Sequence, residues 1–383
     1  MIEVIYISNN WKVIEGKETT KSAAFHLSIL FHESEVFTIS TILPMVTPPI
    51  HGLLHYGYQL AMTMSNGDHN DWVFSNFIQL YSDYNSEGFD FRVDFYAPEG
   101  KYGLKYPGLK GYMINYQVNS EMKDNIIDYI MNCIDDKCYC EIHLNEYYLP
   151  NKEFYKIKNY NHQNLVYGYD KENKLFKALG FNKLGVFDNL DIGFEDFQLA
   201  YQNTEPEPYL TLNRYDIGFY LHCYKHDLEL NVDKIYQSLE DYRQSKNSFK
   251  VLYHPSEAVF GLNVYDHIFE KATSASVVLK DIRIIHVLWE HKKMMLLRIK
   301  HLTNKQVIRD GESIYNEYAK VERKLLAIRN KHLKVLMKLH TGKASESAVD
   351  LELVENLKEL FTVKKMEEEV VDKLLLSFEV VYA

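Results

Sequence analysis

From Val232 onward the chain keeps one pattern, with apolar residues three and four apart in VDKIYQSLEDYRQS, AVFGLNVYDHIFEKA, IRIIHVLWEHKKMMLLRIKHL, IYNEYAKVERKLLAIRNKHLKVLMKLH and LELVENLKELFTVKKMEEEVVDKLLLSF. That spacing draws an apolar stripe down one side of an α-helix. A β-strand needs alternation instead, because its successive side chains point to opposite faces. The C-terminal part of the chain is therefore expected to be helical. TGKASESAV, residues 341–349, is its clearest loop, with Asp350 as the expected N-cap of the last helix.

Upstream the pattern is different. Short alternating stretches read as strands at VIYI, VFTISTIL, FDFRVDFY, YCEIHL, LVYGY, LFKALGF and VFDNLDI. Helical spacing is confined to His51–Met64, Trp72–Tyr81 and Lys123–Cys133. Strands and helices mixed without regular alternation predict an α+β layer fold, not a doubly wound parallel sheet. QNTEPEPYLTL, with two prolines and little periodicity, reads as the boundary between an α+β domain at 1–203 and a helical domain at 210–383. A chain of 383 residues is long enough for two cores.

Net charge of −10 argues against general affinity for nucleic-acid backbones, so no nucleic-acid partner is expected. No run approaches the roughly 18 apolar residues of a membrane span. The start, MIEVIYISNNWKVIEG, reads as a strand and not as a signal peptide, and a cytoplasmic protein without a membrane partner is expected. Four cysteines in so long a chain do not make a secreted disulfide framework. Cys138 and Cys140 alternate with Tyr139 and Glu141, so they are expected on the inner face of a strand with Ile142 and Leu144, as small core residues. Cys133 and Cys223 are also read as structural.

The most informative local segment is a hairpin. HQNLVYGY and LFKALGF flank the polar turn DKEN. Pairing across that turn puts His162 opposite Phe181, or opposite Asn182 after a shift of one residue. A histidine acting as base needs a group that orients its ring, and Asn182 is the candidate for that role. The plainer reading is a strand-end histidine that satisfies a backbone carbonyl.

H-x-x-L-V-x-G-Y-D, His162 to Asp170, resembles the histidine strand of papain-like enzymes, especially double-glycine leader peptidases and the N-terminal domain of the butirosin-pathway acyltransferase. N-E-Y-Y-L-P-N at 145–151, F-Y-K at 154–156, F-S-N-F-I-Q-L-Y at 74–81, G-L-N-V-Y-D and W-E-H-K-K-M-M-L-L-R-I are similar to the same group from nonribosomal-peptide clusters. The resemblance implies a papain-like domain followed by a helical domain that closes over it. It also implies amide-forming acyl transfer from a carrier-protein thioester to a small-molecule amine, with a cysteine at a helix start activated by the histidine.

That cysteine is missing. The expected helix follows PMVTPPI, yet no cysteine precedes Cys133 and no serine lies in His51–Tyr56. Three explanations stay open: His51 or His55, one turn apart on the expected helix, replaces the nucleophile; His162 deprotonates the amine for direct attack; or the fold is catalytically inactive and binds a carrier protein or biosynthetic intermediate.

Other candidates are weaker. His51 and His55, with Asp68 and His69, could be metal ligands, but the spacing lacks the usual glutamate and no metal is expected. In HVLWEH, His286 and His291 are separated by about 140° around a helix, so Glu290 is expected to support His286 one turn away. Lys292, Lys293, Arg298, Lys300, Arg323, Lys324, Arg329, Lys331, Lys334 and Lys338 are read as a solvated basic face that could steer an acidic carrier protein. No Gly-rich phosphate cradle is present and no cofactor is expected.

Overall fold

The computed structural model describes residues 2–7, 10–15, 39–65, 69–84, 91–96, 106, 108–115, 120–204, 215–222, 229–248 and 258–378. Asp68, Cys223 and most of the 202–212 boundary segment lie outside these residues. The fold is mixed: an antiparallel sheet carries the first unit, and the C-terminal region is helical. Among the described residues no helix is long and apolar enough to cross a membrane.

The chain forms two compact units, and both are discontinuous. One comprises Met1–Thr47, Leu54–Gly67 and Tyr106–His226; the other comprises Pro48–Leu53, Asp68–Lys105 and Asp227–Ala383. A single cut between 203 and 210 therefore does not separate them. Strand pairing is indifferent to sequence distance once a register buries the right face, so segments from both sides of that cut are exchanged.

In the first unit, β1 (Ile2–Ile7) and β2 (Asn10–Glu15) form a two-stranded ribbon. The main sheet has seven strands: β3 (Ser40–Ile42), β6 (Leu109–Asn115), β7 (Cys138–Asn145), β8 (Asn161–Asp170), β9 (Leu175–Phe181), β10 (Phe187–Gly193) and β11 (Tyr215–His222). Its order is β10-β9-β8-β7-β11-β6, with β3 also paired to β8, and every pairing is antiparallel. Helices α1 (Leu54–Ser65), α3 (Ile126–Asp135) and α4 (Phe194–Gln202) belong to the same unit. Its core unites Leu54, Tyr58, Ile130, Ile134, Cys140, Ile142, Leu144, Leu165, Phe176 and Phe197. Cys133 and Cys140 are buried in it and Cys138 packs at its edge. Burial pushes the Cys138 thiol up to about 12 and Cys140 well above its ordinary value, so neither supplies a thiolate near neutral pH.

In the second unit, α2 (Asn70–Ser75) ends early, and the chain turns through Phe77 at φ 55° into β4 (Gln79–Tyr84). This corrects the helix expected over Trp72–Tyr81: β4 is held between β5 (Phe91–Tyr96) and β12 (Val259–Phe260), and those ladders override the local helical spacing. The helices are α5 (Val232–Gln244), α6 (Val264–Ser274), α7 (Ser276–Lys280), α8 (Ile282–Asn304), α9 (Gly311–His340) and α10 (Glu346–Ser377). Buried residues of α9 fall at Ile314, Tyr318, Val321, Leu325, Ile328, His332 and Val335, alternating steps of four and three. This stripe faces both α8 and α10. The cap of α10 is Ser345, whose side chain accepts the Ala348 N–H, and Asp350 lies inside the helix.

Candidate functional site

β8 pairs with β7 so that His162 lies opposite Leu144 and Asn161 opposite Asn145. Glu146 follows β7 directly, and its N–H donates to the Tyr160 carbonyl at 2.8 Å. Its carboxylate then reaches the imidazole, with His162 Nδ1 to Glu146 Oε1 at 2.7 Å. The Glu146 side chain is 3% exposed and that of His162 24%. A carboxylate that accepts from Nδ1 leaves Nε2 as the basic nitrogen, and it stabilises the imidazolium formed when Nε2 takes a proton.

Two aromatic rings flank this pair. Tyr160 lies 5.3 Å from the imidazole, and Phe181 lies parallel to it within 6° at 6.2 Å. Asn145 braces the segment that carries Glu146: its Oδ1 accepts the Tyr147 and Tyr160 N–H groups, and its Nδ2 donates to Asn159 Oδ1 and the Asn203 carbonyl. The histidine is thus neither entombed nor capping a carbonyl through its Nδ1.

Asn182 does not orient His162. Its Oδ1 accepts the N–H groups of Leu184 and Val186 at 2.9 and 3.1 Å, closing the β9–β10 turn. A bulge between Val166 and Gly168 shifts the β8–β9 register, and the paired residues end at Leu165 opposite Leu179. The orienting group comes from the residue just beyond the other neighbour, β7, which is not part of the β8–β9 hairpin. Once β7 and β8 are paired, Glu146 stands two positions from the residue opposite His162, a relation that YCEIHL and LVYGY taken separately do not carry.

His51 and His55 do not share a helical face, because α1 begins only at Leu54. The His55 ring packs on Tyr56 at 4.2 Å. His51 instead joins His286 and Glu290 in the second unit, with ligand-type atoms all within 4.8 Å of one another. The N–H groups of His51 and Gly52 donate to Glu290 Oε1 at 2.7 and 2.9 Å. As expected from the spacing, Glu290 also lies one turn from His286, with His286 Nε2 at 3.3 Å. Burial opposes the Glu290 charge, but His286 and the His51 amide outweigh it and hold its carboxyl below the ordinary range. Burial lowers the His51 pKa against the pull of Glu290.

A cation fits this trio poorly. Arg329 Nε donates to His286 Nδ1 at 2.9 Å, and an always-protonated guanidinium leaves His286 carrying its own proton on Nε2, the nitrogen nearest Glu290. Lys293 and Arg329 both sit over the Trp289 ring, at 4.6 and 5.0 Å, adding positive charge nearby. The donors that hold Glu290 are the protein's own.

The basic residues of the long helices do not form one solvated face. Lys292 and Arg298 are fully buried. Lys292 Nζ pairs with Glu367 at 2.7 Å, and Arg298 donates to the carbonyls of Phe74, Asn76 and Phe77. Lys324 and Lys338 pair with Glu359 and Glu352. Arg323, Lys331 and Lys334 are exposed. Sequence periodicity cannot tell a solvated lysine from one whose buried partner lies on another helix.

No family model matches the chain, and no curated protein sequence is significantly similar to it.

Proposed function

We propose that the first unit is a papain-like domain that promotes amide-forming acyl transfer by general-base catalysis. His162, oriented by Glu146, takes a proton from a small-molecule amine through Nε2 as the amine nitrogen attacks the carbonyl carbon of a carrier-protein thioester. The C–N bond forms, the C–S bond breaks, and the imidazolium returns its proton to the departing thiolate. The described cysteines lie in or against the hydrophobic core, which favours direct attack over an enzyme-bound thioester. One observation carries this reading: a partly buried imidazole, still reached by solvent, joined through Nδ1 to a buried carboxylate at 2.7 Å. The acyl donor and the amine acceptor come from the resemblance of the His162–Asp170 stretch and the segments around it.

A second reading, noncatalytic binding of a carrier protein or intermediate, is favoured by a separate observation. At the His51–Tyr56 segment, where the resemblance implies a helix entrance that holds the acyl oxygen, the amides of His51 and Gly52 already donate to Glu290. An acyl oxygen cannot use them while that carboxylate holds them.

Mass spectrometry of acyl-loaded carrier protein mixed with the protein and an amine tests both. The first reading expects amide formation by wild type and a loss on the order of 10²–10⁴-fold in His162→Ala, with a smaller loss in Glu146→Gln. Equal release by wild type and His162→Ala removes the base assignment. Carrier binding without release by wild type establishes the second reading.

A further inference from the structure

Three buried polar side chains hold the carbonyls of His162, its neighbour Gln163 and Phe181. Asn164 Nδ2 donates to the carbonyl of His162 itself at 3.0 Å. The Tyr58 hydroxyl, from α1, donates to the Gln163 carbonyl at 2.8 Å. Lys152 Nζ donates to the Phe181 carbonyl at 2.8 Å, and the Phe181 ring is the one that lies parallel to the imidazole. Tyr58 and Asn164 are fully buried, and Lys152 is 2% exposed.

They converge on Gly180. A Cβ built there would lie 3.1 Å from Lys152 Nζ, 3.3 Å from Asn164 Oδ1 and 3.3 Å from the Tyr58 hydroxyl. The absence of a side chain at this position leaves the lysine its seat. Asn164 Oδ1 accepts no hydrogen bond. Lys152 is also tied to Glu146 through the backbone: Leu149 N–H donates to Glu146 O, and Lys152 N–H donates to Leu149 O. The residue that orients the imidazole and the residue that anchors its stacking ring are thus set by one short stretch of chain.

A buried lysine is costly unless something nearby compensates it. Burial lowers the Lys152 pKa to about 8, while the charge of Glu146 opposes that fall. A tether to a carbonyl needs only a neutral donor. A positive charge kept at this depth acts on whatever titrates beside it.

We infer that Lys152 is a positioning residue for the His162–Glu146 pair: it anchors the backbone of Phe181, whose ring lies parallel to the imidazole. The inference rests on the reading of that pair given above. The titratable groups at this position are Glu146, which acts on Lys152, and Tyr58, on which Glu141 and Glu146 both act.

The test is the NMR shift of the His162 Cε1–Hε1 signal in the full chain without substrate, so it is read whether or not acyl transfer occurs. Lys152→Gln keeps an N–H for the Phe181 carbonyl; Lys152→Met removes it. Lys152→Met should lose the ring-current shift that Phe181 imposes on the signal, and Lys152→Gln should keep it, with the dispersion of the same spectra showing that each variant is folded. A signal unchanged in Lys152→Met, or lost equally in a folded Lys152→Gln, overturns the inference. If the signal behaves as expected and no amide forms, the positioning role stands and the enzymatic reading falls.

Discussion

Lys152 has a consequence for stability as well as for chemistry. Its folded pKa of about 8 lies below the ordinary 10.5 of an unfolded chain, because burial disfavours the charged form. Between those values the unfolded state holds the proton and the folded state does not, so unfolding free energy rises with pH across that window. Below about pH 8 both states are protonated and the cost of burying the charge, roughly 3 kcal/mol, is fully in place. Chemical denaturation of wild type and Lys152→Met at several pH values should show this rise, from about 8 to 10.5, only in wild type. Parallel pH curves for the two proteins would mean that the ammonium is not desolvated. Glu146, its neighbour along the turn, was legible as a residue type within NEYYLPN but not as a partner. Its role depends on the β7–β8 register, a relation between residues sixteen apart that no local pattern encodes.

At the scale of elements, helix termini carry their own signals. Asn231 caps α5, its Oδ1 accepting the Lys234 N–H at 2.9 Å. Asn231→Ala should lower stability by about 1 kcal/mol, measured by urea denaturation, and Asn231→Asp should retain most of it. A loss no greater than that of a neutral surface substitution would show that the cap contributes nothing. The helices from Val232 onward were legible because an amphipathic stripe is a property of the element itself. The helix expected at Trp72–Tyr81 does not extend past Ser75 for the opposite reason: Gln79 to Tyr84 form a strand because β5 and β12 supply ladders on both sides. The two histidines expected one turn apart failed in a similar way, since α1 starts three residues after His51.

At the scale of the whole molecule, the most consequential feature is a closed polar network inside the helical unit. Glu367 of α10 accepts from Tyr242 of α5, Tyr265 of α6, Tyr318 of α9 and Lys292 of α8. Lys292 also donates to Tyr242 and to His291, whose other ring nitrogen donates to the Ile78 carbonyl. Burial holds His291 well below its ordinary pKa, which keeps it neutral and able to accept from the lysine. Five helices share one buried carboxylate. Glu367→Ala should cost about 3–5 kcal/mol in the urea midpoint analysis, because it leaves the Lys292 charge buried without its counterion. Replacing both, as Glu367→Leu with Lys292→Met, should recover much of that loss. A double variant as unstable as Glu367→Ala would place the cost in lost packing.

What the sequence determined by itself was local: the change from alternation to helical spacing, the inward side of β7 with its cysteines, the β8–β9 hairpin, and His162 as a strand-end imidazole. These follow from periodicities that a side chain obeys whatever surrounds it. Tertiary structure alone decided which carboxylate orients that imidazole, why Lys152 and Lys292 are buried charges, and how segments of both halves are exchanged between the units. The reason is electrostatic. A charged side chain carries the same letter in water and in a core, and only the partner folded against it settles which environment it can occupy.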